Sequence, residues 1–168
     1  MSEVGAYLVS SIMVGAGATA ATDLWTIVRK RLLAVPPFDY GLVGRWLAYL
    51  ARGRFFHNPI AASPPVRGER TLGWVAHYLI GIMFAALLLA VWGLDWVRRP
   101  TIVPALTVGF ATVAAPFLVM QPGMGAGIAA SRTPNPARAR VQTLLTHGIF
   151  GLGLYAAGWI ASPLLHCC

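Results

Sequence analysis

Charge is what this sequence has least of. Only 11 % of its 168 residues are Asp, Glu, Lys or Arg, and 5 of them are acidic. A soluble domain carries about 25 %, so this chain cannot solvate a globular surface of its own. Cysteine is nearly absent too. The only two are the adjacent Cys167 and Cys168, and neighbouring cysteines sit too close for a relaxed bridge, which excludes a disulfide scaffold. His166, Cys167 and Cys168 read either as a metal-binding tail or as an ordinary terminus. His-x-x-His, Glu-x-x-His and paired-Cys spacings are missing. No phosphate-loop pattern follows Gly15 and Gly17, and no Ser-His-Asp order stands out. No catalytic residue, metal or other cofactor is therefore expected, and an enzyme is disfavoured. The opening MSEVGAYLVSS has no Lys or Arg, so the basic region of a cleavable signal is missing and the first apolar run is expected to be retained.

What the sequence does have is long apolar runs. Hydrophobic residues make up 57 % and mean hydropathy is +0.67. Four stretches, 4–28, 71–94, 101–120 and 141–165, each approach the roughly 20 apolar residues that a bilayer core demands. The expectation is a single all-α membrane domain over 1–168 with four transmembrane helices. Residues 29–70 and 121–140 are the connecting loops. The third helix is expected to kink at Pro116, and it has the option of continuing to 131. In the first loop, YGLVGRWLAYLARGRFF sets Leu42, Trp46, Leu47, Leu50, Phe55 and Phe56 against Arg45, Arg52 and Arg54. That pattern is a short amphipathic helix, either interfacial or capping the bundle.

The net charge of +8 is read by position. Arg29, Lys30, Arg31, Arg45, Arg52, Arg54, Arg67 and Arg70 lie in the first loop and Arg132, Arg138 and Arg140 in the third. Only Arg98 and Arg99 lie between the second and third stretches. This is the positive-inside bias and not a nucleic-acid stripe. It puts 29–70 and 121–140 in the cytoplasm and both termini on the outer side. The partners expected are the lipid bilayer and either further copies of the chain or other membrane proteins, with no nucleic acid.

Small residues crowd the first helix (Gly15, Ala16, Gly17, Ala18, Ala20, Ala21), so it should pack centrally. Gly17→Leu is expected to disrupt more than Leu88→Phe on the Leu-rich second helix. The fourth helix carries Gly148, Gly151, Gly153 and Gly158, a second close-packing face. A pattern also recurs. Ile60-Ala61-Ala62-Ser63 returns as Ile128-Ala129-Ala130-Ser131, and Arg70, His77 and Gly81 return at the same mutual spacing as Arg140, His147 and Gly151. Each half would be one parallel repeat.

The candidate chemistry lies in the few polar groups inside the spans. Asp23 is six residues from Arg29, and His77 and His147 are each seven from an arginine. At about 1.5 Å per residue all three lie roughly 9–10 Å below the basic boundary, with Gln121 near the same level. Thr19 and Thr26 share the face of Asp23, and Thr143 shares that of His147. An ionisable group at such depth is a functional candidate, because an unpaired one is costly. A cytoplasm-facing pocket for a proton or small polar solute is one reading. The other is a set of buried pairs that only fix helix register, or an Asp23 that reaches out to Arg29 or Lys30. Two loop segments, holding Arg54, His57 and Asn58 and holding Ser131, Arg132 and Asn135, are candidate ligand or lipid contacts.

The runs at 40–82 and 115–140, with ATDLW (21–25) and LLTHGIFGLGLY (144–155), resemble a family of small bacterial inner-membrane proteins known only as a domain of unknown function. The resemblance covers nearly the whole chain. It implies a bacterial source and four membrane helices, and it supplies no activity.

Overall fold

The structure, a computed structural model, describes residues 2–166; the candidate tail ligands Cys167 and Cys168 lie outside them. Every regular element among the described residues is helical. In chain order these are α1 (Glu3–Leu33), α2 (Tyr40–Leu50), α3 (Glu69–Trp92), the short α4 (Asp95–Arg98), α5 (Ile102–Gly123) and α6 (Pro136–His166). Single 3₁₀ turns form at Ile60–Ala62 and Ile128–Ala130. Four of the helices, α1, α3, α5 and α6, are long and apolar enough to cross a membrane.

Caps set the helix ends. Ser2 accepts from Gly5 N at 3.2 Å, and α1 runs on past Arg29, Lys30 and Arg31 to a left-handed Ala34. Cations in a last helical turn oppose the helix dipole favourably. The loop therefore starts later than 29. α6 starts earlier than 141, and residues 136–140 are helical where the connecting loop is expected. The reason is local: Asn135 Oδ1 accepts from Arg138 N at 3.1 Å, and Pro136 takes the first helical position, where its missing N–H costs nothing.

Pro116 does not simply kink α5. It has no N–H to give, and the backbone widens into a π-helical stretch over Pro116–Met120, closed by Gln121 N on the Pro116 carbonyl. Beyond Gly123 the helix stops and does not reach 131. Gly125 and Gly127 take φ of 93° and 76°, and Ala129 and Ala130 are also left-handed, a run that no α-helix can contain.

The chain divides into two compact units. The first holds residues up to Pro36, Tyr78–Thr112 and those from Thr146 onward. Its core includes Val14, Ala18, Leu88, Ala105, Val108 and Leu154. Its helices meet at glycines. A Cβ on Gly15 would strike the Ile82 Cα, and one on Gly81 would strike the Thr19 hydroxyl. A Cβ on Gly109 would fall 2.8 Å from the Gly151 Cα, and one on Gly153 2.9 Å from the Ala18 Cα. Such close approaches bring α1 against both α3 and α6, and α5 against α6, so α1 shares the centre with α6. Leu88 does not lie on an outward face of α3, so Leu88→Phe is not a mild change. Leu88 is fully buried, whereas Leu87 is 49 % exposed. Leu72, Val75, Leu79, Met83, Leu87 and Val91 form the exposed apolar stripe of α3, at the spacing of one helix face. Gly15, which is buried, and Leu87 are the positions that separate a packing face from an outward face.

The second unit holds Pro37–His77 and Val113–Leu145. Asp39 Oδ1 caps α2 by accepting from Gly41 N at 2.8 Å. α2 lies on the start of α3, backbone to backbone. A Cβ on Gly44 would overlap the Glu69 carbonyl oxygen, and one on Gly73 the Tyr40 carbonyl oxygen. Val43, Trp46, Ile60 and Met124 pack together beneath. α2 ends at Leu50, and Gly53 turns left-handed with φ 76°. Phe55 and Phe56 thus fall outside the expected apolar face and are exposed. Arg45 is not on an outer basic face. It turns inward to Glu69.

Candidate functional site

The span groups of the first unit find partners on neighbouring helices. Asp23 on α1 accepts a hydrogen bond from the Tyr78 hydroxyl at 2.9 Å. His147 on α6 has its Nδ1 3.0 Å from the Thr112 hydroxyl of α5. That hydroxyl donates to the Gly109 carbonyl at 2.8 Å. The Thr112 hydroxyl thus stands within hydrogen-bond distance of both the Gly109 carbonyl and the His147 ring. Thr19 and Thr26 donate to carbonyls of their own helix, Gly15 and Thr22, at 2.8 and 3.0 Å. Backbonding of this kind satisfies a hydroxyl within an apolar span.

In the second unit the His77 ring stacks on Tyr40 with centroids 4.1 Å apart and meets Trp74 edge-on at 5.8 Å. Gln121 and Thr143 come together, the amide nitrogen 3.5 Å from the hydroxyl, a long contact. Thr143 gives its hydrogen to the Ala139 carbonyl at 3.0 Å. The Gln121 Oε1 is buried and unpartnered among the described residues.

The loop candidates divide into separate roles. His57 is 5 % exposed; its Nδ1 lies 3.0 Å from the Ser63 hydroxyl and its Nε2 is buried without a partner. Its backbone N donates to Gly123 O at 3.0 Å, and Ile60 N donates to Met124 O at 2.9 Å. These two bonds tie the segments 57–60 and 123–124 into one layer. The peptide bond after Asn58 is cis. Arg54 lies over the Tyr49 ring at 5.5 Å, and Arg52 does so at 5.7 Å. Ser131 N bonds Ile128 O at 3.0 Å and Arg132 N bonds Ala126 O at 2.8 Å, both within their own turn. Asn135 acts as the cap of α6.

Sequence reasoning missed Tyr78 and Thr112. Tyr78 adjoins His77, and a tyrosine inside a span brings a polar tip that needs a partner. Thr112 stands 35 residues from His147, and no local pattern joins them. Glu69 was missed as well. It grips Arg45 with two bonds, Nε to Oε2 at 2.8 Å and Nη2 to Oε1 at 2.7 Å. The carboxylate in turn holds the guanidinium above its ordinary pKa. Arg45 Nη1 also donates to the Ser63 and Ala61 carbonyls at 2.9 and 3.3 Å. The second Ile-Ala-Ala-Ser turn has a comparable tie, Arg140 Nε to the Ala129 carbonyl at 2.8 Å.

The fold and these groups define an all-helical protein with four candidate membrane-spanning helices and a small set of hydrogen-bonded polar side chains within them. The family model for DUF2938, proteins of unknown function, matches residues 12–161, and the chain belongs to that family. No curated protein and no solved structure matches it.

Proposed function

We propose that this chain is a multi-pass protein of the bacterial inner membrane that handles a proton or a small polar solute. Its basic loops face the cytoplasm and both termini the periplasm. Asp23 is the charge carrier, and the span histidines are its titrating partners, since imidazole is the side chain poised near neutral pH. The observation that carries the reading is the Asp23 carboxylate, set within an apolar span and held by the Tyr78 hydroxyl at 2.9 Å. A phenol can pass hydrogen-bond donation to a carboxylate and release it when the acid is protonated. At 168 residues the chain completes a path across the bilayer by assembling with further copies or with other membrane proteins.

Asp23→Asn tests this. In proteoliposomes with an internal pH dye, the wild-type chain should conduct protons with a rate that changes between about pH 5 and 8. The variant should keep its helical content and lose at least about tenfold in rate, as expected for removing a group that carries the charge. A wild-type chain with no flux, or a variant with undiminished flux, sinks the reading. The orientation has its own check. Reporter fusions after Val97 and at the C-terminus should both be periplasm-positive, and a cytoplasmic signal at either site refutes it.

A second reading rests on a different observation. The span hydroxyls are satisfied by neighbouring carbonyls, and His147 is tied to Thr112, as in a non-catalytic assembly or interaction subunit whose polar groups only join helices. That reading expects Asp23→Asn to lower thermal stability or oligomer yield with no flux in either protein.

A further inference from the structure

Two donors at the basic end of α1 have no acceptor. The indole Nε1 of Trp25 and the guanidinium Nε of Arg29 are both buried and unpartnered among the described residues. They are four residues apart, so one helical turn separates them on a single face, with Cβ atoms about 5–6 Å apart. Neither group can accept a hydrogen bond. One of them carries a full positive charge at any physiological pH. Arg45 shows what the fold does with an inward arginine of its own: it supplies Glu69 in a two-bond grip. Among the described residues no carboxylate pairs with Arg29.

Burying a donor without an acceptor costs about 1–3 kcal/mol, and more for a charged one. The cheapest remedy is an acceptor-only, negatively charged group. We propose that Trp25 and Arg29 form a two-point site for a phosphate group, either the phosphodiester of an anionic lipid headgroup or free phosphate. The guanidinium fork suits phosphate oxygens, and the indole supplies a second, directional donor. The site does not depend on Asp23 carrying protons, and it stands if that reading fails.

The test uses the purified full-length chain, delipidated in a neutral detergent. Dioleoyl-phosphatidylglycerol, dioleoyl-phosphatidylcholine and inorganic phosphate are titrated separately. Native mass spectrometry counts bound lipid, and a thermal shift reports phosphate. Phosphatidylglycerol should be retained over phosphatidylcholine if the source is lipid. Inorganic phosphate should raise the melting temperature and displace lipid if the source is free phosphate. In either case Arg29→Gln and Trp25→Phe should each weaken binding about tenfold or more, while Lys30→Gln, a neighbouring cation, leaves it unchanged. If Arg29→Gln does not fold, Arg29→Lys keeps the charge and removes the fork, with the same weakening expected. Binding unaltered in Trp25→Phe and in the Arg29 variants overturns the proposal. So does equal weakening by Lys30→Gln, which would reduce the effect to diffuse charge.

Discussion

Replacing Gly44 with alanine is expected to release α2 from α3 and to cost about 3 kcal/mol or more, the upper range for overpacking. The added methyl would overlap the Glu69 carbonyl oxygen and lie 2.7 Å from the Gly73 nitrogen. Both are helix backbone, which cannot rotate aside as a side chain can, so the helices must separate. Separation strips Val43 and Trp46 of their cover over Ile60 and Met124. Gly73→Ala makes the mirror collision with the Tyr40 carbonyl and should behave alike. Tryptic cleavage after Arg52 or Arg54, followed in detergent beside a thermal melt, reads out the release directly. Gly148→Ala is the control, since its Cβ would rest 3.4 Å from the Phe110 ring edge, close to ordinary contact. If Gly44→Ala melts and resists trypsin as the wild type does, the docking described for α2 is wrong.

Glu69→Gln is the second large effect, about 2–4 kcal/mol. Removing one partner of a largely desolvated ion pair strands the other. The Arg45 and Glu69 side chains are only 12 % and 19 % exposed. The carboxylate also accepts from Val66 N at 2.8 Å, so it holds both the arginine and the turn that starts α3. Asp95–Arg98 provides the contrast, since it is 86 % and 52 % exposed. Asp95→Asn should change stability by about 0.5 kcal/mol or less. A double-mutant cycle with Arg45→Met separates pairing from packing: the double variant should lose less than the two single losses added together. Strict additivity would mean that Arg45 and Glu69 act independently of each other.

The four spans were legible because a run of apolar residues needs no partner to declare itself. Their ends were less so. α6 begins at the Asn135-Pro136 cap, which composition alone reads as a turn, and α1 continues through three basic residues that hydropathy counts as loop. The amphipathic pattern announced α2 but placed Arg45 outward, because periodicity cannot see a glutamate 24 residues away. The polar groups were recognisable as individuals. Asp23, His77, His147 and Gln121 stand out against leucine and alanine. Tyr78 and Thr112 did not, since what selects them is a hydrogen bond across 55 or 35 residues of chain. Glycine was legible as a packing signal and illegible in its address: Gly44, Gly73 and Gly81 carry the tightest contacts, and Gly17 a looser one.

The two Ile-Ala-Ala-Ser turns bear on ancestry. Each closes with its serine N on its isoleucine carbonyl at 3.0 Å, and in each an arginine holds the middle alanine carbonyl. Each sits between the two long helices of its half of the chain. Two helices per half is an even number, so both halves thread in the same sense. A half of this kind could have been doubled by gene duplication without reversing its insertion. The two turns are not identical: one keeps ordinary backbone angles, while the other takes the left-handed Ala129 and Ala130.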